Sequence, residues 1–426
     1  MAFSMIAISI ITFNLLGVAS GQVEVARDDN IEPFSLLCRI YNVAKNPPIN
    51  YVDMEEGYNI VEEINALNRS LLEEERLHEK DDAGNSSEAQ VKPTVTRDAA
   101  VAQLGLNQIS QRAHTIWEKI KRMNVTKEIG NAKAEFAQVI FGENGNERNL
   151  DHTALSGVNG REDACGKPGG GTKGINAGKS LVVDFFCLCA QRPDGAGINQ
   201  VCGFYVGSNR ENGLLGWNDT HGPEGSLTMW SSIKGGCGKH MRQHPKSSAE
   251  AHHILDQFLK HLRTGGVYRW GQNNDKSKAV KEKEGMLGTG VGKEKGDIGN
   301  GPVCDGKKGN KGGQSPSGIC VYYGAESNSW EGKIPWLKTF ETALATVEEI
   351  NNQTATIQRS LEKLQMLLHR AEEIYETTKV MLEIQNPEKL ATLPNARGNL
   401  TAYNATRTRS YSPNSYLFPA LVLLLL

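Results

Sequence analysis

One segment is similar in sequence to a phosphate-binding loop. Lys173-Gly-Ile-Asn-Ala-Gly178-Lys179-Ser180 ends in the Gly-Lys-Ser of that motif, but Lys173 stands where the first glycine is required. A phosphate loop also follows a strand and opens a helix. Here the run that follows, residues 181–190, is predicted as a strand because it is short, apolar and followed by a turn. We therefore expect no nucleotide site.

A second segment has the spacing of metal ligands. Cys237, His240 and His244 follow one another at intervals of three and four residues, with His252 and His253 nearby. A cysteine binds metal as the thiolate, and in a protein that forms disulfides Cys237 is expected to be oxidised instead. We therefore predict solvated histidines, no metal site and no cofactor.

Motifs of hydrolytic enzymes are missing from the sequence. It contains neither G-x-S-x-G nor H-E-x-x-H, and no credible pair of a cysteine nucleophile with a histidine base. We therefore predict no catalytic residues and a protein that is not an enzyme.

Composition narrows the class of protein further. The chain has 426 residues, 38% of them hydrophobic, which is enough to bury a core. The formal net charge of −2 argues against a nucleic-acid-binding protein. The 45 glycines follow no G-X-Y period, which excludes collagen.

The first residues have the character of a secretory signal peptide. An apolar, uncharged run from Met5 to Leu16 is followed by Ala19 and Gly21, small residues at the −3 and −1 positions of a signal peptidase site. We predict that residues 1–21 are removed and that Gln22 begins the mature chain.

The last residues have the order of a glycosylphosphatidylinositol (GPI) attachment signal. The small triplet Asn404-Ala405-Thr406 precedes a polar spacer and an apolar tail from Tyr416 to Leu426. At about 1.5 Å per helical residue this tail is too short to cross a hydrocarbon core of ~30 Å. We predict the lipid on Asn404, loss of residues 405–426, and attachment to the outer leaflet of the plasma membrane through a short stalk, residues 386–404.

An even number of cysteines on a secretory route indicates disulfides. The spacing leaves their connectivity open, although Cys304 and Cys320 flank a glycine- and lysine-rich stretch and form the best candidate for a local pair. Cys187 and Cys189, two apart on the predicted strand, share a face and are expected to have separate partners. The four predicted disulfides use all eight cysteines: Cys38, Cys165, Cys187, Cys189, Cys202, Cys237, Cys304 and Cys320.

Acceptor sequences for N-glycosylation also indicate a protein that follows the secretory route. Asn404 also begins such a sequence, but a lipid there would exclude a glycan. The predicted glycosylation sites are Asn68, Asn85, Asn124, Asn218, Asn352 and Asn399.

Hydrophobic periodicity predicts long helices at both ends of the mature chain. A short helix over residues 32–45 and an acidic helix over 51–80 come first, and residues 94–141 and 335–384 then keep heptad-like spacing of apolar residues. The predicted fold is mainly α: an elongated antiparallel hairpin of long coiled-coil helices spanning an ectodomain, residues 22–385.

Between the long helices, residues 142–334 predict an inserted glycine-rich lobe stapled by disulfides. Residues 181–190 and 201–206 are predicted as short strands, and residues 247–263 as an amphipathic helix with a Ser247–Glu250 capping box. Residues 271–318 are nearly free of apolar side chains and are predicted as exposed loop.

Together these features resemble a trypanosome variant surface glycoprotein, in particular the short form of Trypanosoma congolense. The resemblance rests on the heptad helices, the segments VDFFCLCA and SGICVYYG, the IPWLKTFETAL entry into the last helix, and the C-terminal signal. It implies a homodimer that packs densely on the cell surface, shields the membrane and evades host antibodies by antigenic variation. The alternative is a GPI-anchored receptor on the same scaffold that takes up a host protein or nutrient. No cysteine follows Cys320, so the cysteine-rich C-terminal domain of many Trypanosoma brucei coat proteins is not expected.

Overall fold

Nine α-helices and six strands make up most of the described chain. The computed structural model describes residues 24–83, 97–207, 215–240, 243–270, 279–293, 301–309, 316–326 and 329–385. The helices are α1 Ile31–Lys45, α2 Met54–Ala83, α3 Arg97–Arg122, α4 Val125–Phe141, α5 Arg161–Cys165, α6 Leu181–Cys189, α7 Ser226–His240, α8 Ser248–Thr264 and α9 Pro335–Gln385. The strands are β1 Gly166–Lys167, β2 Thr172–Lys173, β3 Gly266–Trp270, β4 Ala279–Lys283, β5 Met286–Gly292 and β6 Ser317–Tyr322.

The prediction of a mainly α fold is confirmed, with long helices where the periodicity placed them. The chain over residues 97–141 nevertheless forms two helices, α3 and α4, because Asn124 between them adopts a left-handed backbone (φ 45°, ψ 35°). The phase of the apolar positions shifts at this point. The predicted elongated coiled-coil hairpin is not confirmed.

Two compact units share the described residues. One takes in residues up to Ile60 together with His114–Gln365, and the other Val61–Ala113 together with residues from Met366 onward.

In the second unit three helices meet. Asn65 of α2 accepts a hydrogen bond from Ser110 of α3, and Asn68 donates to Asn107, so these two helices run antiparallel. A Cβ added at Gly105 of α3 would lie 3.5 Å from Ile374 of α9. Among the described residues, the apolar side chains buried in this unit are Val61, Ile64, Leu71, Ala99, Leu106, Ile109, Ala113 and Ala371.

The first unit is built around α6. All nine residues of this helix are buried, and Ser180 caps it by accepting a hydrogen bond from the Val183 amide. The strand predicted over residues 181–190 is therefore wrong. An apolar run buried on every side carries no periodicity that separates a helix from a strand. Residues 201–206, the second predicted strand, lie outside the strands that the structure contains.

A four-stranded sheet packs beside α6. Its order is β4-β3-β5-β6, with β3 and β5 parallel and the other neighbours antiparallel. Every residue of β5 and β6 is buried. The prediction of exposed loop over residues 271–318 is thus wrong for β5, where the backbone packs closely: a Cβ at Gly290 would lie 2.4 Å from Pro302. Three parts of that range, 271–278, 294–300 and 310–315, lie outside the described residues. Glycines and Thr289 of β5 are buried here together with Met286, Leu287 and Val291.

The amphipathic helix predicted over residues 247–263 is confirmed as α8. Ser247 accepts a hydrogen bond from the Glu250 amide at 3.2 Å, as a capping residue does. The Glu250 carboxylate bonds the Lys246 amide, one residue before the one a complete capping box would use.

Two helical glycines predict opposite effects of the same substitution. A Cβ at Gly57 in α2 would stand 2.8 Å from both Leu361 and Trp117, whereas a Cβ at Gly130 in α4 meets nothing within 4 Å. We expect Gly130→Ala to raise the free energy of unfolding by about 0.5–1 kcal/mol through helix propensity. Gly57→Ala should lower it by about 1 kcal/mol, because overpacking outweighs that gain.

Urea unfolding followed by circular dichroism measures both variants. Equal stabilisation by the two substitutions would show that α2, α3 and α9 do not approach closely at Gly57.

Candidate functional site

All eight cysteines are paired in the first unit. The structure joins Cys38 to Cys237, Cys165 to Cys187, Cys189 to Cys202, and Cys304 to Cys320. The predicted local pair is therefore present, and Cys187 and Cys189 have separate partners as expected. The reason given for that separation was wrong, since residues two apart in a helix point to different sides, not to one face.

The segment that resembles a phosphate loop directs its amide groups at its own chain. The Gly178 amide donates to Asp184 at 2.9 Å, and the Lys179 amide donates to the Asn176 carbonyl at 3.1 Å. A helix does follow the segment, contrary to prediction. Because these amides have protein acceptors, the loop does not form the ring of free N–H groups that holds a phosphate.

The Cys–His segment does not assemble metal ligands. Cys237 is held in a disulfide, and His244 Nδ1 lies 3.1 Å from the amide oxygen of Asn42. His252 lies 3.2 Å from Glu348, and His253 contacts Gln257. Across the described residues, no three potential ligands come together as a metal site would require.

A buried carboxylate that no sequence motif indicated forms a polar centre in the described chain. Asp184, in the first turn of α6, is fully buried. It accepts hydrogen bonds from the Gly178 amide, from the Trp336 indole at 2.7 Å and from the Tyr323 hydroxyl at 2.9 Å. Burial raises the pKa of Asp184 to about 6, although the three donors and Lys173 act in the opposite direction.

Gly178 makes this arrangement possible. Its left-handed backbone (φ +80°) turns its amide toward Asp184, while its carbonyl accepts a hydrogen bond from the Trp336 amide at 3.0 Å. The loop before α6, the end of β6 and the start of α9 therefore meet at one carboxylate.

The other end of α6 carries a buried cation. Arg161 is fully buried and donates to the carbonyls of Ala190 at 2.6 Å and Cys187 at 2.9 Å, with longer bonds to two further carbonyls. Burial lowers the pKa of Arg161 to about 9, so the guanidinium stays charged at neutral pH. A carboxylate in the first turn and a cation at the C-terminus both complement the helix dipole.

A second arginine lies near Arg161 and repels its charge. Arg192 bonds Asp194 and, at 2.8 Å, Asp219, and it donates to the Asp305 carbonyl at 2.6 Å. Burial lowers the pKa of Arg192, but the hydrogen bonds that it donates to its two carboxylate partners outweigh burial and raise the pKa. Each of these charged groups has a partner inside the protein. We therefore interpret the cluster as a structural network of ion pairs and hydrogen bonds.

One signal in the sequence could have found Asp184. It is the only charged residue in the run Leu181–Ala190, and an isolated carboxylate in such a run is buried only with dedicated donors. Its two side-chain donors lie 139 and 152 residues later in the chain, so their identity could not be read from spacing.

Four predicted glycosylation sites fall among the described residues. Asn124 and Asn352 are exposed, and Asn218 is half-buried with its side-chain oxygen bonded to Thr220 and His221. Asn68 is half-buried between α2 and α3. The remaining predictions lie outside the described residues: Asn85, Asn399, the lipid site Asn404, the signal peptide 1–21 and the segments 386–404 and 405–426.

No helix in the described part of the chain is both long enough and apolar enough to span a bilayer.

The Asp184 carboxyl predicts a pH dependence of stability. Its folded pKa of about 6 lies above the ordinary 3.8, so between these values the folded state holds a proton that the unfolded state has lost. Stability should therefore fall by about 2 kcal/mol as pH rises from 4 to 6 on account of this group. Asp184→Asn should remove that contribution and, by leaving a buried donor unpaired, cost about 1–3 kcal/mol near pH 4.

Unfolding free energies of the wild type, Asp184→Asn and the exposed control Asp256→Asn between pH 4 and 8 measure this effect. Parallel curves for wild type and Asp184→Asn would contradict the burial of this carboxylate.

Comparison with known proteins places the chain in a family. A model described as the trypanosomal VSG (variant surface glycoprotein) domain matches residues 79–366. Variant surface glycoprotein YnAT 1.3 of Trypanosoma congolense is 25% identical over 291 residues, 64% of this chain and 61% of the relative. YnAT 1.1 of the same organism is 32% identical over 108 residues, a quarter of each chain.

The aligned regions thus span about three-fifths and one quarter of the lengths of these two relatives. The family model covers more than half of the present chain, including the buried centre around α6. The protein therefore belongs to the trypanosomal variant surface glycoprotein family.

Proposed function

We propose that this protein is a GPI-anchored surface coat glycoprotein that shields the parasite plasma membrane and supports immune evasion by antigenic variation. The observation that carries the proposal is the match of residues 79–366 to the trypanosomal VSG domain. The protein acts as a homodimer on the outer leaflet, and host antibodies are the partners that it meets.

The buried contacts of the first unit suit this role. Four disulfides and the polar contacts at both ends of α6 hold the first unit from within. Substitutions at exposed positions away from such contacts change stability by less than about 0.5 kcal/mol. A coat protein of this design tolerates new surfaces while keeping one fold.

The route to the surface supports the same conclusion. All eight cysteines form disulfides, which is typical of proteins that pass through an oxidising compartment. Glycans on exposed asparagines such as Asn124 and Asn352 would add to the shielding. Lipid attachment at Asn404, after loss of residues 405–426, would hold the protein on the cell without a transmembrane helix.

Enzymatic release from live cells tests the anchor. Phosphatidylinositol-specific phospholipase should release the wild-type protein and Asn399→Gln, whereas Asn404→Gln should not reach the surface in releasable form. Nitrous acid, which cleaves the glycan next to the inositol, covers anchors that resist the enzyme because the inositol is acylated.

Retention of the wild-type protein after both treatments would contradict GPI anchoring. Counting copies per cell tests the coat function separately: a dense, uniform layer is expected. A sparse protein that captures a host macromolecule would identify the receptor alternative instead.

A further inference from the structure

Asn68 begins the acceptor sequence Asn68-Arg69-Ser70, yet both ends of its side-chain amide already have partners. Its Oδ1 accepts a hydrogen bond from Gln103 Nε2 at 2.7 Å, and its Nδ2 donates to Asn107 Oδ1 at 2.9 Å. Both partners lie on α3, one helical turn apart. We propose that Asn68 clamps α2 to α3 and that the folded protein carries no glycan at this residue.

The clamp is part of a longer polar seam between the two helices. Ser110 of α3 donates its hydroxyl proton to Asn65 Oδ1 at 2.7 Å, one turn before Asn68 on α2. Gln103 is only 8% exposed, so its amide depends on Asn68 for the bond that water would otherwise supply. Polar pairs in an apolar helix seam favour one register, because a shifted register leaves them unpaired.

Glycosylation would break this arrangement for a stereochemical reason. The reaction forms a bond between Nδ2 and C1 of the sugar while the bond from C1 to the diphosphate of the activated sugar donor breaks. The diphosphate leaves, and Nδ2 loses one proton. The product is a secondary amide, which is planar and prefers the trans form by about 2.5 kcal/mol. The sugar therefore lies on the same side of the amide as Oδ1.

That side of the Asn68 amide faces α3. Oδ1 and Nδ2 bond residues four apart on the same helix, so the edge between them is directed at Gln103 and Asn107. A sugar on this edge would take the place of the Asn107 side chain. The two helices could then keep neither this bond nor their separation.

Asn124 provides the contrast within the same chain. It is exposed at the junction of α3 and α4, and its side chain makes no capping hydrogen bond to α4. A glycan there displaces no contact of the described residues. The inference rests on the proposed function only in requiring passage through a glycosylating secretory pathway.

Glycan mapping of the full chain, expressed in a eukaryotic secretory line, tests the assignment. After enzymatic deglycosylation in heavy-oxygen water, Asn124 should be recovered as labelled aspartate and Asn68 as asparagine. Ser70→Ala, which destroys the acceptor sequence but keeps Asn68, should leave the glycan mass unchanged, whereas Asn124→Gln should remove one glycan. Labelled aspartate at position 68 would overturn the proposal.

Thermal unfolding separates the clamp from the acceptor sequence. Asn68→Ala and Ser70→Ala both abolish the acceptor sequence, but only Asn68→Ala removes the bonds to α3. We expect a melting temperature several degrees lower for Asn68→Ala and unchanged for Ser70→Ala. Equal melting temperatures would overturn the clamp.

The two tests also separate this inference from the proposed function. Absence of glycan at every acceptor would contradict the secretory route while the melting comparison still decides the clamp. Glycan at Asn124 together with glycan at Asn68 would support the route and contradict the inference.

Discussion

The fold of the first unit depends on hydrogen bonds to the polar groups at the two ends of one buried helix, α6. Helix α6 contains no exposed residue, so its terminal polar groups have no access to water. At its first end Ser180 accepts a hydrogen bond from the Val183 amide, and at its other end Arg161 donates to helix carbonyls. The Asp184 carboxylate in the first turn is itself held by three donors. The hydrogen bonds that these buried charges make tie the surrounding segments to fixed positions, although Arg161 Nε has no partner among the described residues.

This requirement explains why distant parts of the chain share one centre. The segments that suggested the family from the sequence, VDFFCLCA, SGICVYYG and IPWLKTFETAL, supply Asp184, Tyr323 and Trp336 in turn. Asn30 adds a further link, since its amide donates to the carbonyls of Leu188 and Ile319. The segments that carry the resemblance thus contain the residues that hydrogen-bond to one another in the buried core.

Periodicity predicted the long amphipathic helices well, because one face of each is exposed and the apolar stripe is visible. It failed for α6, which is buried all round, and for β5, where Gly288 and Gly290 let neighbouring backbones approach and interrupt the apolar pattern. The pairings of Cys38 with Cys237 and of Asp184 with Trp336 join residues 199 and 152 positions apart. Local sequence carries no record of such contacts, so the buried centre emerged only from the structure.

The order in which the ribosome delivers these parts has a consequence for the cell. Helix α6 leaves the exit tunnel well before Tyr323 and Trp336, which follow it by 139 and 152 residues. At roughly 5–20 residues per second, its apolar surface waits for many seconds without these two neighbours, whereas its cysteines pair with Cys165 and Cys202, which lie close in sequence. Folding of the first unit should therefore depend on protection of this apolar surface from aggregation until the last of its contacts has been synthesised.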